Sequence, residues 1–181
     1  GIEIDPKDPR IAELLREVKE RSSRGYGYDR AAASFELLAR RTLGTMPRYF
    51  TVAGFRVIAR KRRQDGDAAG RLDPVLNTEA TVEVESGGAL RQEIAYGNGP
   101  VNALDTALRK ALAPSFGRQL ATVELVDYRV RIIPPSERIR EPGERITDGA
   151  HDGTDAVTRV LIDSRDTATG AVWSTVGVSP N

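Results

Sequence analysis

Apolar and polar residues follow two different rhythms along the chain. Early on the spacing is helical. Asp8-Pro9 reads as an N-cap and a first-turn proline, and Ile11, Leu14, Leu15 and Val18 then share one face, predicting a helix over about 9–21. Ser22 to Tyr28 reads as a turn. Asp29 is a second candidate N-cap, followed by Ala31, Phe35, Leu38 and Thr42 at helical spacing, and Gly44 and Pro47 mark the stop. From Tyr49 the rhythm changes to that of strands. Residues 49–63 predict a long strand with Gly54 as a bulge, and 64–77 read as a mobile Asp/Gly/Ala loop. Ala80 to Glu85 alternates with period two, Gly87-Gly88 predicts a hairpin turn, and 89–96 return as a strand. Gly97-Asn98-Gly99-Pro100 then opens a helix whose predicted apolar face is Val101, Leu104, Leu108, Ala111 and Leu112.

A second unit follows with the same order of elements. Residues 120–133 place Leu120, Val126, Tyr128, Val130 and Ile132 on one face and Asp127, Arg129 and Arg131 on the other. The stretch 134–153 lacks periodicity and reads as a mobile loop. Strands are predicted around 156–163 and 171–178, joined by a turn at Thr167 to Gly170. The close of the chain, Val176-Gly177-Val178-Ser179-Pro180-Asn181, echoes Gly97-Asn98-Gly99-Pro100-Val101-Asn102. The pattern is a tandem repeat. The expected fold class is α+β: an N-terminal helical linker over 1–46, then two pseudo-symmetric β-β-β-α units (49–116 and 120–181) in a domain over 47–181, with the last helix missing from this chain.

Composition narrows the functional classes. Twenty-seven Lys and Arg balance 26 acidic residues, so net charge argues for neither nucleic acid nor an acidic partner. The basic run at Arg60 to Arg63, with Arg56, carries no interleaved aromatics, and a solvated strand end accounts for it as well as a nucleic-acid patch does. Without cysteine there is no disulfide and no thiolate chemistry. No apolar run has the length of a membrane span, and Gly1-Ile2-Glu3-Ile4-Asp5 does not resemble a signal peptide. A chain starting at Gly1 reads as a piece of something longer.

Chemistry for catalysis is missing from the pattern. His151 is the one histidine and falls in the predicted loop. Asp127 and Asp163 read as isolated carboxylates on strand exteriors, and Asp105 as a helix residue. Nucleotide loops and nucleophile elbows have no match. Binding remains. The start of the Pro100 helix offers unpaired N–H groups and the positive end of a dipole, a seat for a carboxylate or phosphate. The alternative is that the glycines merely form a sharp turn.

Four stretches carry a resemblance. Gly97 to Ala103, Asp127-Tyr128 and Val176 to Asn181 resemble the C-terminal regulatory domain of the α-isopropylmalate synthase family. Ala33 to Arg41 resembles the helical linker that precedes it. That helix and the run Asp127-Tyr128-Arg129-Val130-Arg131-Ile132 are most similar to the citramalate synthase branch. The resemblance implies a homodimeric, cytoplasmic feedback domain for branched-chain amino-acid biosynthesis. Its effector would be isoleucine, or leucine in the isopropylmalate branch. The parent's separate catalytic barrel would use a divalent metal ion and acetyl-CoA, while this chain alone would have no cofactor, no metal site and no activity. The implied effector pocket is Gly97, Asn98, Gly99, Val101, Asn102, Leu125, Tyr128, Ile132, Ala156, Thr158, Val178 and Pro180. In the family a final helix follows the position of Asn181. A ligand-free structural dimerisation module and a nucleic-acid-binding domain are the alternatives of other classes.

Overall fold

The computed structural model describes residues 8–62, 75–134 and 157–180. Of the predicted loops at 64–77 and 134–153, residues 64–74 and 135–153 lie outside the described residues, as do His151 and Ala156. The order of elements is α1 (Arg10–Ser23), α2 (Ala32–Thr42), β1 (Thr51–Arg62), β2 (Val75–Ser86), β3 (Ala89–Gly97), α3 (Pro100–Leu120), β4 (Val123–Ile133), β5 (Val157–Asp166) and β6 (Val172–Pro180). Two antiparallel three-stranded sheets, β1-β2-β3 and β4-β5-β6, make this an α+β fold of β-β-β-α-like units. The chain groups into two compact units. One is Arg48–Ala121, and the other joins the described residues up to Pro47 with those from Thr122 onward.

In the first unit α3 lies on the sheet. Ala80, Val82, Val84 and Ala95 are buried beneath Ala103, Ala107, Ala111 and Leu112. The buried line of α3 is thus an alanine stripe at i, i+4 and i+8, rotated from the predicted one. Leu104 and Leu108 are only partly buried and flank it, while Val101 is 39 % exposed. Small side chains let helix and sheet approach closely, which a leucine face would prevent. The helix also runs past the predicted end at 116. Pro114 removes a backbone donor, and Phe116 leaves helical geometry (φ −134°, ψ 16°), so the axis kinks rather than stops. Phe116 then packs edge-on against Tyr49, with ring centroids 6.1 Å apart. Strand β2 begins at Val75, inside the predicted loop, because Val75 to Asn77 pair with Arg62 to Arg60 in a long ladder.

In the second unit α1 and α2 pack through Leu14, Leu38 and Ala39. Both helices end in a Schellman motif on glycine. Tyr26 N donates to Arg21 O and Gly25 N to Ser22 O after α1; Thr45 N donates to Arg40 O and Gly44 N to Arg41 O after α2. Their starts differ from prediction. The Asp8 carboxylate does accept the Arg10 N–H at 2.9 Å, but Pro9 occupies the cap position. Asp29 does not cap α2; the cap is Ala31, buried and lacking a side-chain bond, because a turn closed by Ala31 N donating to Tyr28 O delays the helix.

Register makes the repeat explicit. Strand β1 is bulged between Val52 and Gly54, and β4 between Leu125 and Asp127. Counted from these bulges, Phe55 corresponds to Tyr128, and Val82, opposite Phe55, corresponds to Ile162, opposite Tyr128.

Candidate functional site

Strand β3 ends at Gly97, paired with Thr78. A Cβ at Gly97 would meet Asn102 Oδ1 at 2.5 Å and the Ala103 backbone N at 2.6 Å. The strand end is therefore pressed against the first turn of α3, and only glycine fits. The reason is close approach, not unusual dihedrals: neither Gly97 nor Gly99 has positive φ. Gly99 is the N-cap of α3 in extended geometry (φ −178°, ψ 171°), and space around it is open.

The helix start itself is unguarded. Gly99 has no side chain with which to cap, Pro100 at N1 carries no N–H, and no acidic residue lies in the first turn. Ala103 N is the first amide to bond within the helix, to Gly99 O at 3.0 Å. The amides of Val101 and Asn102 precede it, at the positive end of the dipole. Asn98, Val101 and Asn102 are exposed. Such a terminus suits a carboxylate or phosphate oxygen.

The remaining predicted residues lie in the other unit. Ile132 pairs with Thr158, and Thr158 with Ser179, so Ile132 and Thr158 share a face with Tyr128. Val178 pairs with Arg159 and belongs to the opposite face; Pro180 pairs with Val157 at the end of the ladder. Leu125 borders the β4 bulge. On the Tyr128 face, Tyr128, Val130 and Ile132 are 47 %, 57 % and 61 % exposed. The corresponding face of the first sheet is covered by α3. Among the described residues of the second unit no helix takes that place. A contiguous exposed apolar patch of this kind marks a binding surface.

The echo between the two glycine turns is out of register. Thr78 pairs with Gly97, and its counterpart Thr158 pairs with Ser179, so Ser179 rather than Gly177 corresponds to Gly97. The cause is the second hairpin. Gly87-Gly88 is a two-residue turn, whereas Asp166 N bonds Ala171 O around a four-residue loop. Gly177 to Pro180 accordingly remain in β6 and pair with Val160 to Val157. A second helix start at 177–181 is not seen among the described residues.

Asp127 and Asp163 are not isolated. They face each other across the β4–β5 ladder. Arg129 lies between them, with Nη2 donating to Asp163 Oδ2 at 2.6 Å and Nε 3.4 Å from Asp127 Oδ2. The Ser174 hydroxyl donates to Asp163 Oδ1 at 2.6 Å. One guanidinium bridging two carboxylates on facing strands is a cross-strand tie. Asp105 likewise pairs with Arg109 at 2.8 Å one turn on. Among the described residues no group of three or more His, Cys, Asp or Glu could hold a metal ion, and no helix is long and apolar enough to cross a membrane.

Sequence reasoning missed Thr78. It is fully buried, its Oγ1 has no hydrogen-bond partner, and it is the register counterpart of Thr158. The signal was available: Thr78 continues the alternation of Ala80, Val82 and Val84.

Residues 30–138 match the model of the LeuA allosteric (dimerisation) domain. Over its whole length the chain is 44 % identical to an (R)-citramalate synthase of Geobacter sulfurreducens and 40 % identical to that of Aquifex aeolicus. It is also 40 % identical to the (R)-citramalate synthase of Streptomyces coelicolor over 182 aligned residues. In each case the chain spans 29 % of the relative's length. With the family match covering well over half of its length, this chain belongs to the LeuA allosteric (dimerisation) domain family.

Proposed function

We propose that the chain is the feedback-regulatory domain of a citramalate synthase, acting as a cytoplasmic homodimer that binds isoleucine. The observation that carries this reading is the uncapped start of α3, with the end of β3 pressed against it at Gly97. The effector carboxylate accepts the Val101 and Asn102 amides. Its aliphatic side chain needs an apolar wall. The exposed apolar patch of Tyr128, Val130 and Ile132 in the second unit supports homodimerisation. The parent protein's catalytic barrel, using a divalent metal ion and acetyl-CoA with pyruvate, lies outside this chain, which is inactive alone. Feedback is then a coupling free energy between two sites, on the order of 1–3 kcal/mol.

Calorimetric titration of the chain with isoleucine and with leucine tests the reading. Saturable isoleucine binding, tighter than leucine binding, is expected. A preference for leucine would move the domain to the isopropylmalate branch. If the folded, dimeric chain bound neither amino acid, it would be a structural dimerisation module.

A further inference from the structure

Strand β3 is an edge of the first sheet. The Gly87-Gly88 turn before it has two residues, both at positive φ, and closes on the Ser86–Ala89 pair. Hydrogen-bonded and non-hydrogen-bonded pairs alternate from that pair onward, so the odd-numbered residues of β3 bond to β2. Leu90, Gln92, Ile94 and Tyr96 turn their amides and carbonyls to the open side, and all four residues are exposed. The strand holds neither lysine nor proline, the usual protections of an edge.

One of these outward groups is occupied. Lys110, exposed on α3, donates from its ammonium to the Ile94 carbonyl at 3.2 Å. The edge of the second sheet is blocked at the equivalent position. Val176 stands three residues before Ser179 as Ile94 stands before Gly97, and its amide donates to Ser34 Oγ on α2 at 2.9 Å.

The β3 edge is also self-complementary. When two copies pair antiparallel about Gln92, Leu90 meets Ile94 and Arg91 meets Glu93, each twice. Neither Arg91 nor Glu93 has an ion pair among the described residues, and Arg91 Nε is buried without a hydrogen-bond partner. In this register they form the non-hydrogen-bonded pairs, where side chains come closest. A slip to the next register in either direction sets Glu93 against Glu93 or Arg91 against Arg91. We propose that Lys110 guards this edge: it holds the Ile94 carbonyl that an added strand needs, and without it β3 of a second copy adds antiparallel about Gln92 to make one continuous six-stranded sheet.

The test is sedimentation velocity with amide hydrogen exchange over a range of concentrations, on the whole chain. Wild type and Lys110→Arg, which keeps a charged donor, are expected to hold one mass. Lys110→Met is expected to add a species of twice that mass as concentration rises, with exchange at Gln92 and Ile94 slowed at least about tenfold in it. Adding Glu93→Arg to Lys110→Met opposes like charges and removes the new species. Adding Arg91→Glu as well restores the pairing and the species. A Lys110→Met chain that keeps the wild-type mass overturns the guard, as does a wild type already protected at Gln92 and Ile94 by association. Association that survives Glu93→Arg overturns the register. Lys110 is exposed on its helix and alanine is a strong helix former, so Lys110→Ala carries the test if Lys110→Met fails to fold.

Discussion

Gly97 and Gly99 stand two residues apart and do different work. At Gly97 a Cβ would strike the Ala103 backbone, which cannot yield as a flexible side chain does. Gly97→Ala is expected to lower stability by about 1–3 kcal/mol, the usual cost of overpacking, measured by denaturant unfolding. At Gly99 nothing lies within 4 Å of an added Cβ, and the extended backbone accepts a β-branched residue. Gly99→Val is expected to leave the fold intact at a cost of about 1 kcal/mol or less, since valine is a poorer N-cap than glycine. Its isopropyl group covers the helix start and weakens isoleucine binding at least tenfold by calorimetry. Normal binding by that folded variant would contradict the anion seat. Thr78 gives an opposite kind of test. Its buried hydroxyl has no partner, so the isosteric Thr78→Val is expected to raise stability by about 1 kcal/mol. A loss of stability would mean that the hydroxyl has a partner.

Elements were largely legible because each has a local cause. Alternation at 80–85, the double glycine at 87–88 (both at positive φ) and Pro100 at N1 predicted β2, the hairpin and the α3 start. The face of α3 was misread because leucines dominate its hydrophobic pattern, whereas packing depends on the alanines that let the sheet approach. Helix starts slipped because a tertiary turn at Tyr28–Ala31 overrode the Asp29 cap. Nothing local foretold that Arg159 reaches the Gly25 carbonyl, 134 residues earlier. The β5–β6 hairpin has an acid-sensitive part. Hydrogen bonds from the Thr122 and Thr169 hydroxyls and the Ala168 N–H hold the Asp166 carboxyl below its ordinary value. A carboxylate depressed on folding adds stability above its ordinary pKa, and that stability is lost as pH falls from about 4 through the lowered value. Wild-type melting temperature is therefore expected to fall more between about pH 5 and pH 3 than that of Asp166→Asn. Equal slopes would show that the turn does not depend on the charge.

For the whole molecule, the chain belongs to the LeuA allosteric (dimerisation) domain family and spans 29 % of the citramalate synthases it matches. The two units repeat one plan, down to a bulge near the start of β1 and of β4. They differ in what covers the sheet. The first sheet is sealed by α3, and the second presents Tyr128, Val130 and Ile132 to solvent. If that surface joins two copies, Val130→Glu places a charge in the middle of it. Sedimentation velocity is then expected to show a dimer for the wild type and a monomer for the variant; an unchanged dimer would place the interface elsewhere. A ¹⁵N-resolved NMR titration of the chain with isoleucine tests whether an amino-acid carboxylate sits on the first turn of α3. The amides of Val101 and Asn102 are expected to move furthest and to saturate with the calorimetric affinity. Saturable binding that leaves 97–103 unmoved would rule that seat out.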